Sequence, residues 1–191
     1  MTMTDQTPLP LTTAWVSVAR CVVASTRLLA ERQVRLSRTH VGQRLRFADG
    51  TSSRVFRETV VRRPPPSDPA VLVVGFRLRY VRGRGHQLFR RESLLNTPLF
   101  VGFPGFTSKL WLAHDEHGVY RGLYQWDGAQ QAEHYARALW RVLALVSVRG
   151  SISYRVLPGL LRDDLLSNPE LAPADETGAW WRLTAVSAMV P

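Results

Sequence analysis

The chain has 191 residues, the length of one ordinary domain with extensions, and its hydrophobic fraction of 45% is that of a globular protein. Its formal charge of +10 raises the question of nucleic-acid binding, but 24 of its 25 Lys and Arg residues are arginines spread along the whole chain, which is typical of coding bias. The single cysteine, Cys21, excludes an internal disulfide and a cysteine-based metal site.

No targeting or membrane-spanning segment is expected. Residues 1–10 are polar and lack a basic start followed by an apolar core. No run of about 18 apolar residues is free of charge, which is the length needed to cross a bilayer. We therefore expect a cytoplasmic protein with no membrane partner.

An amphipathic helix is predicted to begin at Thr12 or Thr13, where a hydroxyl cap precedes an apolar run. Its apolar positions recur at helical spacing: Trp15, Val18, Val22 and Leu29. Cys21 lies in the same pattern and is expected to be buried. A helix that carries tryptophan and arginine has the composition of a membrane-surface helix. This apolar stripe is no larger than a core helix needs, however, so we expect it to pack against its own domain.

A hairpin and a stiff connector follow. The stretch "QRLRFADGTSSRVFRETVV" alternates with a period of two around Asp49-Gly50, which predicts two antiparallel strands. The proline-rich stretch "RRPPPSDP" at 62–69 favours neither helix nor strand. We predict that 1–69 is an N-terminal extension made of a tail, a helix, a hairpin and a linker.

The elements after the connector follow the order β-α-β-β-α-β. They are the strand "AVLVVGFRLRY", the short helix "HQLFRRESLLNTPLF", the strands "GFTSKLWLAH" and "VYRGLYQW", the long helix "GAQQAEHYARALWRVLALVSV" and the strand "GSISYRVLPG". This order is typical of an α+β, ferredoxin-like domain, which we place at 70–159. The C-terminal extension at 160–191 holds a further strand or edge-covering segment in "AWWRLTAVSAMV".

The cluster His114-Asp115-Glu116-His117 has donor atoms suited to zinc or iron. It nevertheless lies on the turn between two strands, where ligands are poorly held. Asp115 at the first position and Gly118 at the fourth are what a type I turn with a glycine bulge requires. We therefore predict a turn without a metal, with both histidines in solvent.

RNA-recognition modules share the βαββαβ order and place stacking aromatics on the third strand, after a basic residue and a glycine. The stretch "RGLYQW" begins correctly with Arg121-Gly122. The positions that must face the bases are Leu123 and Gln125, however, and Tyr124 and Trp126 point to the opposite face because side chains alternate along a strand. No nucleic-acid partner is expected.

A small-molecule pocket is the third interpretation. If Asp115 pairs with Val119, the register propagates along both strands of the hairpin. One face then holds apolar and aromatic side chains: Leu110, Leu112, Gly122, Tyr124 and Trp126. The other face holds Lys109, Trp111, Arg121 and Gln125. A shift of one residue would regroup these sets. Two cations beside an indole can hold a phenolate, enolate or carboxylate, and a solvated or dimer-facing sheet surface is the alternative.

The run "GFPGFTSKLWLAHDEHGVYRGLYQWDGAQQAEHYA" resembles the YdhR-like monooxygenases of the dimeric α/β-barrel superfamily, to which the antibiotic-biosynthesis monooxygenases are related. Those proteins share a Pro-Gly before the second strand, Lys-x-Trp within it, a Gly-x-Tyr-x-aromatic third strand, and then an acidic residue and an Ala-rich helix with a tyrosine. The matching residues are Pro104, Gly105, Lys109, Trp111, Gly122, Tyr124, Trp126, Asp127 and Tyr135. The resemblance spans Val71 to Gly159, and the two extensions have no counterpart in it.

The resemblance implies a homodimer whose two sheets face each other as a barrel, and oxidation of aromatic polyketides without a metal or flavin, the deprotonated substrate itself reducing dioxygen. In this hypothesis Lys109 and Arg121 stabilise an anion, and His134 or Tyr135 accepts the proton. The pocket is shaped by Trp111, Tyr124 and Trp126, with Asn96 as a further candidate for substrate binding. A non-redox cyclase or isomerase, and a non-catalytic ligand-binding or accessory protein, remain alternatives.

Overall fold

A computed structural model describes residues 7–79, 97–173 and 179–187. The helices of these ranges are α1 (Leu11–Ala30), α2 (Ala129–Val146) and α3 (Arg162–Ser167). The strands are β1 (Val34–Ser37), β2 (Arg44–Phe47), β3 (Ser52–Val61), β4 (Pro69–Arg77), β5 (Phe106–Leu112), β6 (Val119–Asp127), β7 (Ser153–Pro158) and β8 (Leu183–Ser187). Short 3-10 turns lie at Thr97–Leu99 and Pro169–Leu171.

Four of these strands form the predicted ferredoxin-like sheet. Their spatial order is β7-β4-β6-β5, and every neighbouring pair is antiparallel. This is the order 4-1-3-2 of a split βαβ arrangement, with α2 joining β6 to β7. The prediction of an α+β, ferredoxin-like fold is confirmed. The connection from β4 to β5 runs through 80–96, which lies outside the described residues, so most of the predicted short helix, including His86 and Asn96, lies there too.

Strands from both extensions continue the same sheet. The hairpin predicted around Asp49-Gly50 is present as β2 and β3, and β3 pairs with β5 at the edge of the ferredoxin-like unit. Strand β1 also pairs with β3, and the C-terminal strand β8 pairs with β2. The eight strands therefore form one curled antiparallel sheet in which the N-terminal and C-terminal segments lie side by side.

The packed face of α1 is not the face that the sequence pattern predicts. The helix begins at Leu11 after Pro10, without a side-chain cap, so the expected threonine cap is wrong. Its buried residues are Ala14, Val18, Cys21 and Ser25. Of the predicted stripe only Val18 is buried, whereas Trp15, Val22 and Leu29 are 37 to 47% exposed. Small side chains allow α1 to approach the loop around Gly102 closely, and that contact selects the packed face. The predicted burial of Cys21 is confirmed.

Gly102 provides a test of this close packing. A Cβ atom at this position would overlap the backbone oxygen of Cys21 and lie 2.6 Å from the backbone nitrogen of Ser25. We expect Gly102→Ala to lower the free energy of unfolding by about 3 kcal/mol, because the backbone of α1 cannot yield without losing its contacts. Gly50→Ala is the control: its φ is +83° with no atom near the added Cβ, and strain alone costs about 1 kcal/mol. Equal losses in urea denaturation would contradict close packing at Gly102.

The sheet has a buried cluster on each face. The helix side packs under α1 and α2 and is rich in aromatic rings. The other side is packed by α3, β8 and described residues between them, Ala172 and Trp181, both of which are core residues. Val71, Leu110 and Leu123 on that second face are at most 2% exposed. The face that two barrel-forming subunits would bring together is therefore already covered within one chain, and the homodimer stays a prediction that needs another surface.

None of the described helices has both the length and the apolar character required to cross a bilayer.

Candidate functional site

The turn between β5 and β6 forms as predicted. The amide of Gly118 donates to the carbonyl of Asp115 at 3.1 Å, the amide of Asp115 donates to the carbonyl of Val119 at 3.0 Å, and Gly118 has a φ of +76°. The Asp115 carboxylate also accepts the amides of His117 and Val119. Both histidines of the cluster are exposed, which confirms the turn interpretation. Within the described ranges, no three His, Cys, Asp or Glu side chains come together to hold a metal ion.

The predicted register of this hairpin is wrong by one residue. Lys109 pairs with Tyr124, and Trp111 pairs with Gly122, whereas Leu110 lies opposite Leu123. The Asp115–Val119 pair is present, but the segment between it and the paired strands has one more residue on the β5 side, and Ala113 there donates its amide to β3. Such an irregularity reverses the faces of every residue beyond it.

As a result, the predicted site residues separate into two groups. Lys109 and Trp111 share the helix-side face of the sheet with Tyr124 and Trp126, and Tyr135 packs onto them from α2. Arg121 lies on the opposite face with Leu123 and Gln125. The prediction that Lys109 and Arg121 act side by side is therefore wrong. Asn96 lies outside the described residues.

Lys109 is buried in a box of aromatic rings and is only 6% exposed. Its Nζ atom lies 3.2 Å from the ring centroid of Trp111, 4.6 Å from that of Tyr124 and 4.7 Å from that of Phe100. Among the described residues, no carboxylate forms an ion pair with it. The only lysine of the chain thus lies in an apolar, ring-lined environment.

This environment favours the neutral amine. Burial lowers the pKa of Lys109 well below its ordinary value, and the nearby positive charge of Arg57 lowers it further. Aromatic faces attract an ammonium group, so the rings around Nζ act in the opposite direction to burial. Lowering the pKa increases the fraction of neutral amine, and a neutral amine can accept a proton.

The second cation of the site is Arg57, which the sequence analysis missed. It comes from β3, pairs directly with Trp111 and lies with its guanidinium carbon 3.9 Å from the centroid of that indole. Burial lowers its pKa to about 10, so it stays charged at neutral pH. The indole Nε1 of Trp111 donates to Thr59, the next residue of β3 on this face, at 3.2 Å. Only the pairing of β3 with β5 brings these residues together, and no local motif signals it.

Two buried tyrosines complete the box. The hydroxyl of Tyr135 donates to that of Tyr124 at 3.3 Å. Burial raises the pKa of both phenols, and their closeness raises the pKa of Tyr135 further. Both stay protonated at neutral pH, so Tyr135 is a hydrogen-bond donor and does not fit the predicted role of proton acceptor. Trp126 lies fully buried between Phe106 and Tyr135, with ring-centroid distances of 5.5 and 4.9 Å. It contributes to the box by packing against Tyr135.

His134 lies apart from this box, at an open cleft of about 340 Å³. The cleft is lined by Phe103, Pro104, Gln130, Gln131 and His134. The Nε2 atom of His134 lies 3.1 Å from the hydroxyl of Ser17 on α1. Phe103 packs edge-on against Tyr135 with a centroid distance of 5.0 Å. The rings of Phe103 and Tyr135 therefore separate the cleft from the surroundings of Lys109.

Arg121 joins three parts of the chain on the other face. Its side chain forms ion pairs with Asp115 at 2.6 Å and Asp49 at 2.9 Å, and its Nε donates to the carbonyl of Trp180 at 2.9 Å. All three guanidinium nitrogens thus bind protein groups. This arrangement ties the β5–β6 turn, the β2–β3 turn and the C-terminal segment together, so every guanidinium nitrogen of Arg121 already takes part in a structural contact.

A second buried polar cluster on that face was also missed. Arg162, at the start of α3, pairs with Glu58 at 2.8 Å and donates to Ser108 at 2.8 Å. His40 contacts the same carboxylate at 3.0 Å. Burial opposes the ionisation of Glu58, but the hydrogen bond from His40 and the charge of Arg162 outweigh it and lower its pKa to about 2. These groups fasten the C-terminal segment to the sheet.

No protein-family model matches the chain, and no curated protein is similar to it in sequence. A solved structure of an uncharacterized ferredoxin-fold protein from Listeria monocytogenes, described as related to antibiotic biosynthesis monooxygenases, is 13% identical and aligns over 56% of this chain and 63% of its own, with a TM-score of 0.38. An anthrone oxidase-like protein is 16% identical over 56% of this chain and 54% of its own, with a TM-score of 0.37. The aligned part is thus less than two thirds of either structure, and likeness at this level carries no argument about activity.

Proposed function

We propose that the protein is a small-molecule tailoring enzyme of specialised metabolism, a cofactor-independent monooxygenase that acts on an aromatic or polyketide-like substrate. The observation that carries the proposal is Lys109, a buried amine surrounded by aromatic rings and next to a second cation. Such a site matches the chemistry of acidic aromatic compounds, whose flat rings stack on aromatic side chains and whose anions are stabilised by positive charge.

The first step in this proposal is deprotonation by Lys109. Its neutral amine takes a proton from an acidic C–H or O–H group of the substrate and becomes an ammonium ion beside the new anion. A buried ammonium ion is unfavourable without an anion beside it. Proton transfer forms the ammonium ion and the substrate anion together, so each charge is stabilised by the other. Lys109 replaces His134 and Tyr135 as the proton acceptor of the hypothesis.

Arg57 supplies the fixed charge in place of Arg121. It keeps its proton at neutral pH, so it attracts the substrate anion throughout the reaction, and its position beside Trp111 holds the charge within reach of a stacked ring. Tyr124 and Tyr135 remain protonated and act as neutral donors. The rings of Phe103 and Tyr135 separate the cleft at His134 from Lys109, so in this proposal they move apart when the substrate enters.

Dioxygen is the oxidant and the substrate anion is the reductant. The carbanion formed at an acidic methylene group transfers an electron to dioxygen, and the resulting radicals combine to a peroxide anion, which receives a proton from the Lys109 ammonium. The hydroperoxide carbon still carries one hydrogen, so loss of water from it gives the ketone. One oxygen atom enters the substrate and the other leaves as water, so the reaction balances without a flavin or a metal.

The test measures oxygen uptake with a hydroxylated anthrone, an aromatic ketone with an acidic methylene group. We expect one dioxygen consumed per new ketone formed, with one labelled oxygen in the product when the gas is oxygen-18. Lys109→Arg places a permanently charged group at this position, which cannot act as a base, and we expect it to lower kcat by about 10² to 10⁴. Full activity of Lys109→Arg would contradict the base assignment.

The two alternatives give different results in the same assay. Product formation at an unchanged rate without oxygen would show a non-redox cyclase or isomerase. Binding of the anthrone without turnover by the native protein, measured by quenching of tryptophan fluorescence, would show a ligand-binding or accessory protein. Either result would overturn the monooxygenase proposal.

A further inference from the structure

Helix α1 has two apolar faces, and the described part of the chain packs only one of them. The packed face carries mostly small side chains, from Ala14 to Ser25. The outward face carries the larger ones, with exposures from 37% at Val22 through 47% at Trp15 to 73% at Val23: Leu11, Trp15, Val16, Val22, Val23 and Leu29. Folded monomers seldom expose that many large apolar groups together, so the outward face has a role beyond packing.

The outward face contains no charge. At 100° per residue, the exposed apolar residues of α1 span an arc of about 140°. The other positions within that arc are small or hydroxylated: Thr12, Ala19, Thr26 and Ala30. Arg20 and Arg27 follow immediately at the edge of the arc. Arg27 forms an ion pair with Glu31 at 2.7 Å, so Arg20 is the residue whose long side chain can reach past the apolar surface toward negative charge. The helix therefore has a continuous apolar face with a basic border.

The structure reverses the sequence argument about this helix. The stripe of Trp15, Val22 and Leu29 was expected to pack against the domain. In that case α1 would have no exposed apolar surface with which to bind a membrane. Because the small residues pack instead, the stripe is available. We propose that α1 docks parallel to the surface of an anionic lipid bilayer, with its apolar arc in the interface and Arg20 at the headgroups. This departs from the expectation of no membrane partner.

Length and charge both fit this occupant. A helix of 20 residues extends about 30 Å, long enough for a stable interfacial contact. Tryptophan is enriched where an apolar region meets headgroups. The formal charge of the chain is +10, so an anionic surface attracts the protein before the helix inserts.

A second copy of the chain fits the same face less well. Arg20 lies at the middle of α1, so an antiparallel two-fold contact through this face would place the two Arg20 side chains next to each other. Like charges brought together at an interface oppose association. An anionic bilayer has the opposite charge and meets no such penalty.

The experiment is co-sedimentation of the full-length protein with vesicles of phosphatidylcholine containing about 30% phosphatidylserine. We expect binding about tenfold stronger than to pure phosphatidylcholine and weaker in about 0.5 M salt than in 0.05 M salt. Trp15→Gln with Val22→Gln should weaken binding about tenfold or more. Arg20→Gln should weaken it about fivefold.

The control variant is Leu36→Gln with Leu145→Gln, which removes two exposed apolar side chains from other elements, 59% and 67% exposed. It should bind vesicles like the native protein, with circular dichroism reporting the fold of every variant. The proposal would be overturned if the Trp15 and Val22 variant bound vesicles as strongly as the native protein. It would also be overturned if the control variant lost as much binding as the Trp15 and Val22 variant. A native dimer in light scattering that the Trp15 and Val22 variant converts to a monomer would overturn it too, because that result assigns the face to a second copy.

Discussion

Lys109→Met is expected to stabilise the fold while removing activity. The variant replaces a buried amine with an apolar chain of similar length, so the apolar interior no longer contains this polar group. We expect the free energy of unfolding at pH 7 to rise by about 2 kcal/mol, which corresponds to a Tm increase of about 4 to 8 °C for a chain of this size. Removal of the base should lower turnover of the anthrone by at least about 10².

The stability of the native protein should also depend on pH in a way that the variant lacks. The pKa of Lys109 is lowered in the folded state, so the unfolded chain binds the proton more tightly. Stability therefore rises with pH from the lowered pKa up to 10.5, the ordinary value, with a slope of up to about 1.4 kcal/mol per pH unit. The difference between the two stability curves isolates this group.

Urea denaturation of both proteins at pH values from about 6 to about 10 measures the difference, and lack of a pH-dependent difference would contradict burial of a neutral amine. Loss of stability in Lys109→Met would show that the lysine supports the fold. A gain in stability with retained activity would show that Lys109 has no part in the mechanism, but it would agree with the burial of Lys109 among aromatic rings. The pairing of a gain in stability with a loss of activity is typical of a residue kept for function.

The fold of the central sheet could be predicted because its signals are local. Alternating or continuous apolar runs defined β4 to β7, and the Asp115-Gly118 turn chemistry defined the hairpin between β5 and β6. The packed face of α1 could not be predicted in the same way. Its large residues suit a core as well as its small residues do, and the choice depends on Gly102, about 70 or more positions away in the chain.

The chemical character of the candidate site could be predicted from the sequence, but the full set of its residues could not. Two basic side chains beside Trp111 were expected, and the structure places Lys109 and Arg57 there. The sequence could not show that one extra residue near Ala113 shifts the register and removes Arg121 from that face. It also could not show that Arg57 takes the place of Arg121, because that depends on the pairing of β3 with β5. Long-range strand pairing leaves no local trace in the sequence.

Arg162→Met is expected to be strongly destabilising. Glu58 is 2% exposed and keeps its charge through Arg162 and His40. Removal of one partner leaves a buried carboxylate poorly compensated, at a cost of about 3 to 5 kcal/mol. For a chain of this size, Tm should fall by roughly 6 to 20 °C. The paired variant Glu58→Leu with Arg162→Met should recover most of the loss, because it removes both charges from the interior.

Acid denaturation tests the same cluster through Glu58. Its pKa is lowered from 4.5 to about 2, so in the native protein its contribution is complete above pH 4.5 and is lost as the pH falls toward 2. Glu58→Gln should lack this loss. Arg162→Met should show a smaller loss that is complete at a higher pH, because removal of the Arg162 charge brings the folded-state pKa of Glu58 closer to 4.5. Thermal melts between about pH 2 and 7 measure all three proteins. If Arg162→Met melts like the native protein, the C-terminal segment is not fastened by this ion pair, and its apolar contacts alone hold α3 against the sheet.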